Sequence, residues 1–158
     1  GTNRKTAASR LKTYIGGGSN TPSFSATKTS QTTGQSDNTW TKVTFDTELV
    51  DSDGKFASSR FTPTEAGDYF ISGALSAGTS SQGHTQGVDI FLYKNGAAID
   101  GAGNGAKLEG NCEIGTAAAS CIITLDSDDY VECFVKVNIS GGTARCTNAN
   151  FSGFKIIA

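Results

Sequence analysis

Residues 61–78, FTPTEAGDYFISGALSAG, contain the clearest structural signal in the chain. Pro63 cannot donate a hydrogen bond to a neighbouring strand, so a strand that includes Phe61 should end there. The Gly-Asp pair at 67–68 has the chemistry of a tight turn. From residue 69 to 75 the pattern then alternates, which predicts a second, longer strand. The residues that share one face of it are Tyr69, Ile71, Gly73 and Leu75.

The rest of the chain repeats this signal at short intervals. Asn95-Gly96, which follows VDIFLYK, is a strong signal for a β-hairpin. The 20 glycines and only 2 prolines among 158 residues fit a domain of short strands and many turns. We predict an all-β sandwich of nine or ten strands, most consistent with a jelly roll. The long loops that we expect are Thr79–Gly87, Ile99–Lys107 and Ser140–Asn148.

The same alternation predicts the core and a surface. The residues expected to line the core are Ile71, Leu75, Ile90, Leu92, Ile123, Val131, Cys133 and Val135. Apolar residues also occur on both faces of several strands, whereas a sandwich needs only one apolar face per strand. The surplus therefore predicts an interface between subunits. We assign Tyr69, Phe70, Phe91, Tyr93, Phe134 and Phe154 to this surplus.

The cysteines do not form a metal-binding pattern. None of Cys112, Cys121, Cys133 and Cys146 belongs to a C-x-x-C pair, and His84 is the single histidine, so the sequence does not predict a zinc site. Cys121 and Cys133 fall on apolar strand faces, where they are either small core residues or a disulfide pair. Cys112 and Cys146 have polar neighbours and are less constrained.

The basic residues are concentrated at the start of the chain. Residues 1–36 carry five lysines and arginines and no acid, whereas the remainder carries fifteen acids and eight bases. Residues 2–15 give the one helical signal, which the three glycines at 16–18 end. We predict an attachment arm at residues 1–18 and a jelly-roll domain at 19–158; the alternative is that the arm is a solvated tail. The arm residues expected to contact a partner are Arg4, Lys5, Leu11 and Ile15.

The sequence lacks the residues that several classes of function require. No apolar run reaches the roughly 18 residues of a membrane span, and no charged start precedes an apolar segment as in a signal peptide. Five scattered basic charges are too few to predict a nucleic-acid partner. His84 has no triad partner, and the GAGNG at 101–105 does not join a strand to a helix. The acids at 126, 128 and 129 could serve calcium binding or acid–base chemistry, but a solvated turn is the simpler interpretation. We predict no enzymatic activity, no cofactor and no metal.

A set of motifs resembles a known family. WTKVTFDTELVDSDGKFASSRFTPTEAGDYFISGAL, residues 40–75, is similar to the globular head of the first complement component and its tumour-necrosis-factor-like relatives. The matching motifs are Phe45-Asp46, Asp51 to Phe56, Phe61 to Pro63, Gly67 to Ile71, Lys94 to Gly96, Leu125 to Val131 and Phe151 to Phe154. The resemblance covers about residues 22–158 and implies a ten-stranded jelly roll that forms homotrimers and presents loops to ligands. The chain lacks the collagen-like stalk, so a complement role is not implied.

The first 18 residues, GTNRKTAASRLKTYIGGG, resemble a short element that precedes the distal head in bacteriophage fibre and virion proteins. This implies a phage virion protein that is made in the host cytoplasm and attaches to the particle through its arm. Two non-enzymatic functions stay open: a fibre head that binds a host-surface glycan or protein, and a cement protein that decorates the capsid and clamps its subunits. In a fibre head, the residues expected to face the receptor are His84, Asn104 and Arg145.

Overall fold

The computed structural model describes residues 20–80, 83–109 and 112–156, and this part of the chain is entirely β. It contains no helix, and therefore none that could cross a membrane. The strands within these ranges are β1 Ser23–Lys28, β2 Thr32–Gln35, β3 Thr41–Lys42, β4 Thr47–Asp51, β5 Phe56–Ala57, β6 Arg60–Phe61, β7 Gly67–Thr79, β8 His84–Lys94, β9 Ala97–Lys107, β10 Ile114–Leu125, β11 Val131–Ser140 and β12 Ala144–Lys155. The arm predicted at residues 1–18 lies outside the described residues.

The strands form two antiparallel sheets that pack face to face. Sheet A has the order β10-β7-β12-β1-β4, with β2 also paired to β12. Sheet B has the order β5-β6-β11-β8-β9, with β3 also paired to β11. The predicted all-β sandwich with jelly-roll architecture is therefore confirmed. The strand number differs from ten because the edges are broken into short pieces, of which β3, β5 and β6 have two residues each.

The strand after the Thr-Pro corner has the predicted register. Along β7 residues 69, 71, 73 and 75 are buried, and the residues between them are half-buried on the outer face. Seven of the eight predicted core residues are buried as expected. Ile123 is only partly buried and packs against the core from its edge, because β10 is the outermost strand of sheet A. Tyr69 was wrongly assigned to the surplus: its side chain is in the core, and its hydroxyl donates to the Glu65 carbonyl at 2.7 Å.

An aromatic cluster joins the two sheets at one end of the core. Phe24 of β1 lies 4.4 Å from Phe61 of β6 and 4.8 Å from Phe151 of β12, measured between ring centroids. These three side chains are almost completely buried. Because the cluster includes the first, the sixth and the last strand, it ties together parts of the chain that are far apart in sequence.

The sandwich has two distinct ends. At one, which we call the proximal end, Ser23 pairs with Phe154, and the amide of Lys155 donates to the Pro22 carbonyl at 3.0 Å. The β8–β9 hairpin lies at this end too, with Asn95 and Gly96 at φ angles of 52° and 80°. This hairpin was predicted from the sequence. The connections β7–β8 and β11–β12 lie at the opposite, distal end.

The loop predicted at Ile99–Lys107 is wrong, because these residues belong to β9, which pairs with β8. Their glycines suggest a loop, but two of them make room for side chains of β8. A Cβ at Gly103 would lie 2.2 Å from the Phe91 ring, and one at Gly105 would lie 1.8 Å from a carboxylate oxygen of Asp89. The other two predicted loops are shorter than expected, since β8 begins at residue 84 and β12 at residue 144.

All four cysteines are free thiols, so the alternative of a Cys121–Cys133 disulfide is wrong. Cys133 is buried in the core and Cys121 packs against it from the edge strand, as expected for small packing residues. Cys146, which the sequence left unconstrained, is buried as well. Burial raises the pKa of the Cys146 thiol to about 11, although the charge of Lys28 acts in the opposite direction.

Candidate binding surfaces

Three neighbouring strands of sheet A present apolar side chains on the outer face. Phe70 on β7 pairs with Ile122 on β10 and with Phe154 on β12, and we call these three residues the apolar row. The Phe70 and Phe154 rings lie 5.5 Å apart. Ile122 is 68% exposed and Phe154 is 37% exposed. The row thus leaves apolar surface in contact with water, which marks it as a candidate interface.

Beyond the apolar row, the outer face of sheet A carries only small and amide side chains over the next three rows of β10, β7 and β12. The pairing across these strands aligns Ser120, Ser72 and Ser152, then Ala118, Ala74 and Asn150, then Thr116, Ser76 and Asn148. Short side chains allow another surface to approach the sheet closely. The outer face of β10, β7 and β12 is therefore a surface of short side chains with one apolar row near its proximal end.

The outer face of sheet B has a different character. A shallow groove of about 440 Å³ is lined by Trp40, Asp89, Phe91, Asn104 and Lys136, with Gly103 and Gly105 among its lining residues; we call it the aromatic groove. The Trp40 and Phe91 rings meet edge to face at 5.5 Å between centroids. The Lys136 ammonium lies 4.9 Å from the Trp40 ring centroid and 2.9 Å from a carboxylate oxygen of Asp89.

A network of charges and rings supports this face of sheet B. The carboxylate of Glu132 is nearly buried and accepts hydrogen bonds from Lys42 at 2.7 Å and Arg60 at 2.9 Å. Burial alone would raise the pKa of Glu132, but these two cations outweigh it and hold the pKa below its usual value. Tyr93 and Phe134 stack with 4.0 Å between centroids. The side chains beside the groove are thus held in place by their neighbours.

The three residues predicted to face a receptor do not lie in loops. His84 is the exposed first residue of β8, and Arg145 is the second residue of β12, near the same distal end. Asn104 lies within β9, at the rim of the aromatic groove. The structure therefore does not bring the three together, and the loop assignment is wrong for each. The arm residues Arg4, Lys5, Leu11 and Ile15 lie outside the described residues.

The sequence did not single out Trp40, Asp89 or Lys136 as site residues. A signal was present, because the alternation in VDIFLYK places Asp89 and Phe91 on the face opposite the core residues Ile90 and Leu92. The contribution of Trp40 could not be read in this way, since the residue precedes a strand of only two residues.

The acidic residues before β11 stabilise a turn. Asp129 accepts hydrogen bonds from the Asp126 amide at 2.7 Å and the Asn95 side chain at 2.6 Å, and it pairs with Lys94 at 2.7 Å. These contacts, led by the backbone amide, lower the pKa of Asp129 to about 2. Across residues 20–80, 83–109 and 112–156, no group of three or more histidine, cysteine or acidic side chains is arranged to hold a metal ion.

No protein-family model and no curated protein matches this sequence. Solved structures do match it. The globular domain of zebrafish complement 1qA protein superposes with a TM-score of 0.63 at 19% identity, over 85% of this chain and 97% of that one. Murine APRIL, in a crystal structure at pH 5.0, superposes with a TM-score of 0.59 at 9% identity, over 85% of this chain and 98% of that one. The chain therefore has the jelly-roll fold shared by the complement globular domain and the tumour-necrosis-factor-like proteins.

Proposed function

We propose that this protein is a non-enzymatic, homotrimeric surface protein of a bacteriophage virion, most consistent with a fibre head that binds the host-cell surface. The apolar row on the outer face of sheet A carries the proposal. The phage context is supported by the resemblance of residues 1–18 to the attachment element of phage fibres.

The apolar row explains why the chain would associate with copies of itself. Ile122 alone leaves 68% of its surface exposed, and burying such surface against another subunit is favourable by about 25 cal/mol per Å². The short side chains beside the row let a second copy approach β10, β7 and β12 closely. Three copies around a threefold axis close the assembly, so that no copy of the row is left exposed.

The polarity of the sandwich fits attachment at one end. Residue 20, which follows the predicted arm, leads into β1 at the proximal end, where the last strand also finishes. An arm that leaves from this end would place the distal end and the outer face of sheet B away from the particle. A head with this orientation can meet a cell surface while its base is held.

The described ionisable groups with lowered pKa values all have structural partners. Asp46 accepts hydrogen bonds from the Ser30 amide at 2.7 Å and the Thr29 amide at 3.0 Å, which hold its pKa well below the usual range. Asp129 and Glu132 are engaged by the turn and strand contacts described above. A catalytic carboxylate has its pKa tuned toward the working pH, whereas these are tuned away from it, which supports a binding role.

Multi-angle light scattering tests the oligomeric state. We expect a mass of three times the 16.3 kDa chain for the intact protein. Replacing both Ile122 and Phe154 by Ser should shift the mass towards one chain. The control is Leu49→Ser, which removes an exposed apolar side chain that lies outside the row, on β4. A single-chain mass for the intact protein at micromolar concentration would contradict the proposal.

Electron microscopy of the particle separates the two virion roles. Antibody-labelled protein at the tips of fibres is the result expected for a receptor-binding head. Label distributed over the capsid would instead support the cement protein, in which the basic arm clamps capsid subunits. Label on neither structure would exclude both roles.

A further inference from the structure

We propose that the aromatic groove on sheet B is a binding site for a neutral oligosaccharide. The proposal rests on the receptor-binding function proposed above, and it names both the site and the chemical class of the receptor. The groove lies on the face opposite the apolar row, so association through sheet A leaves it open.

The glycines of β9 show how the groove is built. Phe91 and Asp89 lean over Gly103 and Gly105 so closely that neither position has room for a Cβ. Any other residue at these positions would push the ring and the carboxylate out of their present places. At the two positions that the Phe91 and Asp89 side chains cover, β9 therefore has glycine and no side chain, although glycine weakens a strand. The result is a shallow cleft in which a ring and an acid lie next to each other.

The lining has the chemistry that recognises a sugar ring. One face of a hexose carries mainly C–H groups, which pack on aromatic rings, and the rings of Trp40 and Phe91 both line the groove. Sugar hydroxyls both donate and accept hydrogen bonds. The Asp89 carboxylate is an acceptor and the Lys136 ammonium a donor, and their polar atoms lie 2.9 Å apart. Such a pair can hold adjacent hydroxyls of one ring.

The charges in the groove favour a neutral ligand. Lys136 and Asp89 neutralise each other, so no unpaired cation faces the cleft to compensate a phosphate, sulfate or carboxylate. A second depression of about 550 Å³ shares Asp89, Gly105 and Lys136 with the aromatic groove. It adds the amides of Asn38, Gln86 and Asn138 and the charge of Lys107, which does not line the aromatic groove itself. The two together are large enough for more than one sugar ring, and amides are neutral donors and acceptors.

A protein partner fits the groove less well. Stable protein interfaces bury an apolar core surrounded by a polar rim. Here the apolar surface consists of two half-buried rings, and the remaining lining is charged, amide or glycine. A shallow site of this kind binds a single sugar weakly. Three copies that face outward from a trimer would raise the overall affinity for a cell surface through multivalency.

The fluorescence of Trp40 provides a direct assay, because it is the single tryptophan of the chain. The intact protein would be titrated with neutral tetrasaccharides built of glucose, galactose, mannose or N-acetylglucosamine, and with sialylated and sulfated counterparts. We expect a saturable change with at least one neutral probe and a response at least tenfold weaker for its anionic counterpart. Asp89→Asn should weaken binding at least tenfold, whereas the matched control Asp100→Asn, on the same hairpin but outside the groove, should not.

Each outcome of the titration supports or overturns the proposal. No saturable change with any neutral probe, a preference for the anionic probes, or an unchanged affinity in Asp89→Asn would overturn it. A protein of trimeric mass that fails the titration leaves the trimer in place and removes only the sugar site. A monomeric protein that still binds the sugar through Asp89 would keep the sugar site and exclude the trimer. A melting curve for each variant confirms that a lost response does not reflect unfolding.

Discussion

Two isoleucines on neighbouring strands allow folding and association to be separated experimentally. Ile71 on β7 is fully buried, whereas Ile122 on β10 is 68% exposed in the apolar row. Replacing each by Ala makes the same chemical change in the same sheet. We expect the first change to destabilise the fold and the second to weaken the trimer.

The magnitude for Ile71→Ala follows from its surroundings. The substitution removes three carbon atoms, worth about 0.8 kcal/mol each in transfer free energy, and leaves a cavity that adds to the cost. Ile71 Cδ1 packs against Gly153 of β12, where a Cβ would lie only 2.6 Å away. Both backbones are fixed by pairing, so the cavity cannot readily collapse. We therefore expect a loss of about 3–5 kcal/mol in the free energy of unfolding, or about 6–20 °C in Tm.

Urea unfolding followed by circular dichroism measures both variants. The unfolding should be measured at a protein concentration low enough to dissociate the trimer, because association otherwise adds to the apparent stability. Under these conditions Ile122→Ala should cost less than about 0.5 kcal/mol, while light scattering at higher concentration should show a smaller mass. Equal losses for the two variants would refute the assignment of faces. A loss below about 0.5 kcal/mol for Ile71→Ala would mean that its burial contributes almost nothing.

Three further predictions concern the groove, a turn and the arm. Gly103→Ala should displace the Phe91 ring, lower the stability by about 1–3 kcal/mol in a thermal melt and change the Trp40 emission. The pKa of Asp129 is lowered to about 2, so its contribution to stability is present above about pH 4 and is lost as the pH falls towards 2. Urea unfolding at pH 7 should therefore show Asp129→Asn to be less stable than the intact protein. This difference in the free energy of unfolding should narrow between about pH 4 and pH 2. A truncated protein that begins at Ser19 should keep the oligomeric mass and the Tm of the intact protein but fail to bind purified particles. Binding of the intact protein should weaken as the salt concentration rises. Normal incorporation of the truncated protein would exclude an attachment role for the arm.

The core was predictable because the alternation of apolar side chains along a strand indicates directly which face is buried. Residues such as Ile71 and Leu92 sit in segments where every second side chain is apolar, and a strand has only two faces. Cys146 was not predictable in this way, since its neighbours in β12 are polar and its burial depends on the pairing of β12 with β7. The Asn95-Gly96 hairpin was predictable because both residues adopt positive φ, which few other pairs tolerate.

The candidate sites were predictable only in part. The surplus of aromatic residues was visible in the sequence, but not its division between the two outer faces of the sandwich. Phe70 and Phe154 lie on sheet A, whereas Phe91, Tyr93 and Phe134 lie on sheet B. The groove also depends on β9, whose glycines resemble those of a loop until their contacts with β8 are known. A glycine can be required either by the backbone conformation of a turn or by a neighbouring side chain that leaves no room for a Cβ, and the sequence alone does not distinguish these two cases.

The pairing of β1 with β12 has a consequence for how the chain folds. Phe24 lies opposite Gly153, so the first described strand takes its place in sheet A only when the last one is available. During synthesis, β1 can pair with β4 early, but this pair joins the rest of sheet A only after β12 has left the ribosome. Pairing between such distant segments makes folding slow and leaves a strand edge exposed in the meantime. The jelly roll should consequently complete its folding only after β12 has been synthesised, on a timescale of milliseconds to seconds or longer.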